Sequence, residues 1–172
     1  AAARPLPRGG ATAFPIVAIG ASAGGLEAFT KFFVHMSADS GMAFVLIPHL
    51  DPSHKSLMVE LLARQTAMPV LEAAHRMPIR PNTVYVIPPN KYLAIRGGRL
   101  VLSRPPKSGA GQTPIDFALR SLAEDKQENA IGIVLSGTGS HGTAGLKEIK
   151  LAGGLVLVQD PVTAEHDQMP RS

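Results

Sequence analysis

Ser22 stands in Gly20-Ala21-Ser22-Ala23-Gly24, a G-x-S-x-G pattern between the apolar run Phe14–Ile19 and the helically spaced Leu26, Phe29 and Phe33. Glycines on either side of a serine let the backbone turn tightly and leave the hydroxyl exposed, as in a strand-to-helix nucleophile turn. The same kind of turn can cradle a phosphate on the N–H groups of the following helix. Ser22 occupies the place of the second glycine of G-x-G-x-x-G, and no Gly-Lys-Ser/Thr follows, so neither nucleotide-binding signature is met. Taken alone, the stretch also reads as a plain structural turn whose small residues allow close packing.

A nucleophilic serine needs a base. Of the six histidines, His49 directly follows the apolar run Met42–Ile47 and Pro48, which places it at a strand end. A third group is expected from another strand end, and Ser136–Gly142, after the run Ile131–Leu135, fits that position and carries His141. Read by itself, Ser136–Gly142 is equally an anion-binding loop or a tight turn. His54 reads as a solvent-exposed or helix-start residue. Convergence of His49, His54 and His141 on a metal lacks a carboxylate or cysteine at ligand spacing, so no metal is expected.

The hydrophobic pattern supplies the scaffold for these groups. Buried strands are predicted at Phe14–Ile19 and Met42–Ile47, and further strands at Val70–Ala73, Val84–Ile87, Ile131–Leu135 and Leu155–Val158. Tyr92–Ile95 and Leu100–Leu102 flank Arg96-Gly97-Gly98-Arg99, a hairpin signal. Asp51-Pro52 is a plausible start for a helix carrying Leu57, Leu61 and Leu62. Thr113-Pro114-Ile115-Asp116 opens another, with threonine as cap, proline in the first turn and aspartate where the helix dipole favours it. A further helix ends at Gly153-Gly154. Strands alternating with helices predict an α/β domain: a doubly wound, mainly parallel sheet flanked by helices, with one antiparallel hairpin. In such folds the site lies beyond the carboxyl ends of the strands, where Gly20–Gly25, Pro48–His54 and Ser136–Gly142 arrive.

Composition bounds the partners. The 172 residues suit one domain, with 45% hydrophobic and 17% charged side chains. There is no cysteine, so disulfides and thiolate metal sites are excluded. Of 17 basic side chains, Arg4 and Arg8 lie in the first ten residues, and the net charge of +4, with no tryptophan and two tyrosines, argues against nucleic acid. No apolar run approaches a membrane span of roughly 18 residues, and no signal core is seen. Residues 1–13 read as a flexible lead and 14–172 as the domain. A chain starting without methionine and stopping at Met169-Pro170-Arg171-Ser172 reads as a fragment, truncated at its C-terminus.

Together, IVAIGASAGGLEAF, IPHLDPSH, TPIDFALRSLA, GIVLSGTGSHGTAGL and QDPVTAEHDQMPRS make the chain from Phe14 to Ser172 resemble the catalytic domain of the CheB-type protein-glutamate methylesterases of bacterial chemotaxis. The resemblance implies a doubly wound α/β domain and a cytoplasmic serine hydrolase without cofactors. Such enzymes cleave glutamyl methyl esters on chemoreceptor helices, and many also deamidate receptor glutamines. It implies Ser22 as nucleophile and His49 as general base. Backbone N–H groups near Ala23 and in the Thr138–Gly139 turn are the candidate oxyanion donors. The family's turn usually reads G-x-G-x-D-G, with that aspartate as the triad acid; here the position holds His141. The family commonly has threonine where Ala23 stands, and no receiver domain fits in the residues before Phe14. The wording GTGSHGTAGL is closer to relatives fused to a methyltransferase domain. If His141 takes the acid's place it should lie beside His49, with Asp51 or Asp160 as substitute acids. The alternative is a degenerate domain of this fold that binds a receptor or partner without turnover.

Overall fold

The computed structural model describes residues 14–49, 57–107 and 112–172. The elements are β1 Ile16–Ala21, α1 Gly25–His35, β2 Ala43–Pro48, α2 Met58–Ala63, β3 Val70–Glu72, β4 Thr83–Val86, β5 Tyr92–Arg96, β6 Arg99–Ser103, α3 Pro114–Lys126, β7 Ala130–Val134, α4 Thr143–Leu151, β8 Leu155–Val158 and α5 Gln168–Arg171. Six strands form a sheet in the order β3-β4-β2-β1-β7-β8, and each neighbouring pair is parallel. The hairpin β5–β6 is a separate two-stranded antiparallel sheet. Its turn residues Gly97 and Gly98 have φ of 56° and 70°, the left-handed pair a two-residue hairpin turn requires. Both N–H groups donate to the Asp125 carboxylate of α3.

The inner strands β4, β2, β1 and β7 are buried on both faces, so they read as apolar runs rather than alternations, while the edge strands β3 and β8 are largely exposed. Along β1, Ile16 and Ala18 enter one core with α3 and α4. Val17 and Ile19 enter the other, with Phe29 and Phe33 of α1 and Phe44 of β2. Phe33 and Phe44 meet edge-to-face at 5.4 Å, a preferred aromatic geometry.

Local expectations shift in three places. β1 runs two residues beyond Ile19, because Gly20 and Ala21 keep pairing with Ile47 and Pro48 of β2; Ser22 is therefore the first residue after the strand. Leu26 is 40% exposed, because it lies on the cavity wall while Ala28 and Phe29 make the buried face of α1. Leu57 and Leu61 are also exposed, and Met58 and Leu62 make the buried face of α2. The Asp51-Pro52 helix start and the 1–13 lead lie outside the described residues.

Helices α3 and α4 pack closely because position 145 is glycine. A Cβ there would stand 2.6 Å from Leu119 Cβ and 3.1 Å from the Asp116 backbone. Neither neighbour is the free end of a side chain, so the helices must separate. Gly145→Ala is expected to destabilise the protein by about 1–3 kcal/mol, read as a lowered urea midpoint.

Candidate active site

The helix after β1 lies on one face of the sheet and the helix after β7 on the other. Adjacent strands whose connections leave in opposite directions open a crevice at their carboxyl ends. Backbone hydrogen bonds continue past the strands and fix its walls. Leu135 N–H donates to Gly20 O at 2.9 Å, Ser22 N–H to Ser136 O at 3.0 Å and His49 N–H to Ala21 O at 2.8 Å. Ser22, His49 and the Ser136 turn are thus placed by one continuous ladder.

Both glycines around Ser22 are needed, for different reasons. A Cβ at Gly20 would come within 2.5 Å of Ile115 Cγ2 on α3. Gly24 has φ +73°, and a Cβ there would meet Glu165 Oε2 at 2.7 Å and Ser136 Oγ at 2.8 Å. The turn is therefore shaped by close packing from both sides, with Ser22 left half-buried at its apex.

Ser22 and His49 line one cavity of about 430 Å³, walled also by Leu26, Glu27, Met58 and Glu165. His49 is exposed and also borders a hollow of about 190 Å³ with Pro88, Asn90, Tyr92 and Pro114. No hydrogen bond joins Ser22 Oγ to His49 among the described residues; in unliganded sites such contacts are often long and tighten only with substrate. His141 does lie beside His49. The ring centroids are 5.2 Å apart and the planes 62° from parallel, an edge-on contact. His141 Nδ1 is buried without a hydrogen-bond partner, so packing, not a hydrogen bond, relates the two rings.

Asp160 is engaged elsewhere. Its Oδ1 accepts the Val162 N–H at 3.0 Å, capping the short turn Pro161–Thr163. Asp51 and His54 lie outside the described residues. Among the described residues no carboxylate pairs with His49 or His141, and no three His, Asp or Glu side chains gather as a metal would require. Around Ser22, the Ala23 and Thr138 N–H groups carry no hydrogen bond among the described residues. The Gly139 N–H donates to Gln168 Oε1 at 2.8 Å.

That last bond belongs to a clasp that sequence reasoning missed. The C-terminal segment crosses the Ser136 turn: Gly137 N–H donates to His166 O at 2.9 Å and Met169 N–H to Gly137 O at 3.0 Å. Ser136 is buried, its Oγ donates to Ala23 O at 2.9 Å and accepts the His166 N–H at 3.0 Å, and its N–H donates to Gln159 Oε1 at 2.8 Å. One hydroxyl thereby links the Ser22 turn to the C-terminal segment. A lone serine beside glycines carries no signal of this in sequence. The end of the clasp is stiffened by α5, where the Arg171 Nε hydrogen bond of 2.6 Å holds the Asp167 carboxyl below its ordinary range. Ser136→Ala would leave the part-buried His166 N–H and Ala23 C=O without this partner. It is expected to cost about 1–3 kcal/mol and to speed limited proteolysis at 165–172 relative to wild type.

These features agree with what known proteins show. A sequence model of the CheB methylesterase family matches residues 17–172. A Leptospira interrogans relative is 33% identical over 168 residues, covering 92% of this chain and 83% of its own. A Xanthomonas oryzae protein-glutamate methylesterase/protein-glutamine glutaminase is 38% identical over 159 residues, covering 90% of this chain and 44% of its own. The crystal structure of the Thermotoga maritima CheB methylesterase catalytic domain superposes with a TM-score of 0.85 at 25% identity, over 94% of this chain and 87% of that one. With a family model spanning residues 17–172 and a solved CheB catalytic domain of the same fold, the chain belongs to the CheB methylesterase family.

Proposed function

We propose that this chain is a serine hydrolase that removes methyl esters from glutamyl side chains of bacterial chemoreceptors and deamidates receptor glutamines. The observation that carries the reading is the pairing of Ser22 and His49 on one cavity at the carboxyl ends of adjacent strands, in a chain of this family. The receptor helices, the cytoplasmic location and a methyltransferase domain elsewhere in the polypeptide belong to the proposal. Among the described residues no helix is long and apolar enough to cross a membrane.

In the proposed reaction His49 takes the Ser22 hydroxyl proton as Oγ bonds to the ester carbonyl carbon. The Ala23 and Thr138 N–H groups face the developing oxyanion. The tetrahedral intermediate then collapses, the C–OCH₃ bond breaks, and the proton on His49 leaves with methanol. Water, deprotonated by His49, attacks the glutamyl-serine ester and restores Ser22 with a free glutamate. Glu27 and Glu165 on the cavity wall repel that carboxylate more than the neutral ester and so favour its departure. All the groups needed are side chains and backbone of this chain.

His141 stands where the acid is expected. It holds the His49 ring by edge-on packing but brings no negative charge to the imidazolium that forms in the reaction. When both rings are protonated they repel each other. Replacing the acid by asparagine in a serine protease costs about 10⁴ in turnover, because it imposes the wrong tautomer. A neutral histidine does not force that, so a smaller impairment is proposed. The absence of a carboxylate paired with His49 among the described residues favours the second reading, a domain that binds receptor without turnover.

Two experiments separate the readings. A fluorophosphonate probe should label wild type and not Ser22→Ala; no labelling of folded wild type selects the binding module. Methanol release from methylated receptor should be abolished in Ser22→Ala. His141→Asp should raise turnover by about tenfold or more, within the 10⁴ that an acid is worth in a triad. An aspartate variant no faster than an already fast wild type would release His141 from the role.

A further inference from the structure

Helix α4 begins immediately after His141 and has no side chain of its own to cap it. Its N-cap is Gly142, with φ +92°. A Cβ there would be strained and would stand 2.7 Å from Val134 Cγ2 and 3.1 Å from Ile115 Cγ2. Serine, threonine, aspartate and asparagine, the usual caps, are therefore shut out of position 142. The first-turn N–H groups of α4 must find an acceptor elsewhere.

The Thr143 N–H donates to Ser140 O at 3.4 Å, and for Gly142 and Gly145 the acceptor is Asp116, from the first turn of α3. Its Oδ2 accepts the Gly142 N–H at 3.2 Å and its Oδ1 the Gly145 N–H at 2.8 Å. The Thr113 hydroxyl donates to Oδ2 at 2.6 Å and accepts the Asp116 N–H at 3.1 Å. Asp116 is 7% exposed and forms no ion pair among the described residues. Three hydrogen bonds thus converge on this buried carboxyl group at the N-terminal, positive end of α4. Thr113 and Asp116 look like a capping box of α3 alone, but the carboxylate is turned away to the neighbouring helix.

We infer that Asp116 is a positioning residue of the site, which sets the ring of His141 against His49 by capping α4 from outside. His141 precedes the capped Gly142 by one residue, so a shift of the α4 terminus moves its ring directly. The other end of the same turn is held independently by the Ser136 clasp; at the His141 end Thr143 Oγ1 meets Ser172 Oγ at 2.5 Å, and Asp116 is the side chain that holds the backbone N–H groups of the α4 terminus. The link to catalysis rests on the hydrolase reading; the link to the position of the ring does not.

The test compares wild type, Asp116→Asn, His141→Ala and the double variant, each checked for folding by thermal unfolding. The asparagine keeps the size but presents an amide NH₂ toward an N–H, so one bond to α4 is lost. Histidine ring nitrogen signals by NMR should shift for His141 and His49 in Asp116→Asn and stay in place for His35 and His75. The maximal rate of fluorophosphonate labelling should fall by about tenfold or more with little change in the half-saturating concentration. In the His141→Ala background Asp116→Asn should make no further difference. If Asp116→Asn does not fold, Thr113→Val removes the hydroxyl donor and should shift the same signals, and Thr113→Ser should restore them. Unmoved His141 and His49 signals overturn the inference, as does a full additional loss of labelling in the His141→Ala background. Wild type that never labels overturns the hydrolase reading instead, and the ring signals then still decide the role of Asp116.

Discussion

Everything at the site hangs on the parallel pairing of β1 with β2 on one side and β7 on the other. In a parallel ladder all strands deliver their carboxyl ends to the same edge. The chain reverses its direction of winding between β1 and β7, and the cavity lined by Ser22 and His49 lies beside that point, at the carboxyl ends of β1 and β2. Ser22, His49 and the Ser136 turn are each within two residues of those strand ends. Their backbones continue the ladder by three more hydrogen bonds. The side chains are thus placed by peptide geometry before any interaction between them matters.

Close packing then does what longer loops would do elsewhere. Gly20, Gly24 and Gly137 each face an atom that a Cβ would strike, from Ile115, Ser136 and Met169 respectively. These glycines therefore let the turns approach packed side chains that any larger residue would displace. The cost falls on the helix termini, since Gly24 and Gly142 are both N-caps without a capping side chain. At α4 the deficit is met by a carboxylate from a different helix, and at the Ser136 turn by a buried hydroxyl shared with the C-terminal segment. Interior density and polar satisfaction are here one problem with a common solution.

The electrostatics of the crevice are unusual for a histidine-based site. The charges on the walls are Glu27 and Glu165, both exposed, and Glu27 is paired with Lys31 at 2.6 Å. The buried carboxylate nearest in sequence logic, Asp116, is committed to backbone amides. His49 faces another imidazole, and one ring nitrogen of that neighbour has no partner. An imidazole pair in edge contact fixes orientation through shape, while a histidine–carboxylate pair does so through charge.

Fold class, strands, the hairpin turn at Gly97-Gly98, the Thr113 cap and the chemically capable serine and histidines were all legible in the residues alone. Each is written in short-range pattern: apolar runs, glycine pairs and a cap three residues from its amide. Residues 50–56, with Asp51, His54 and the helix start expected at Asp51-Pro52, lie outside the described structure. Packing had to settle the rest: that Leu26 lines the cavity and not the core, that Asp160 is spent on a local turn, that the rings of His49 and His141 touch, and that Asp116 caps a helix 26 residues further on. These depend on which strand lies beside which and on how closely two helices approach. No window of local sequence carries that distance, because burial and contact are properties of the packed sheet and are shared among residues that the chain brings together only when it folds.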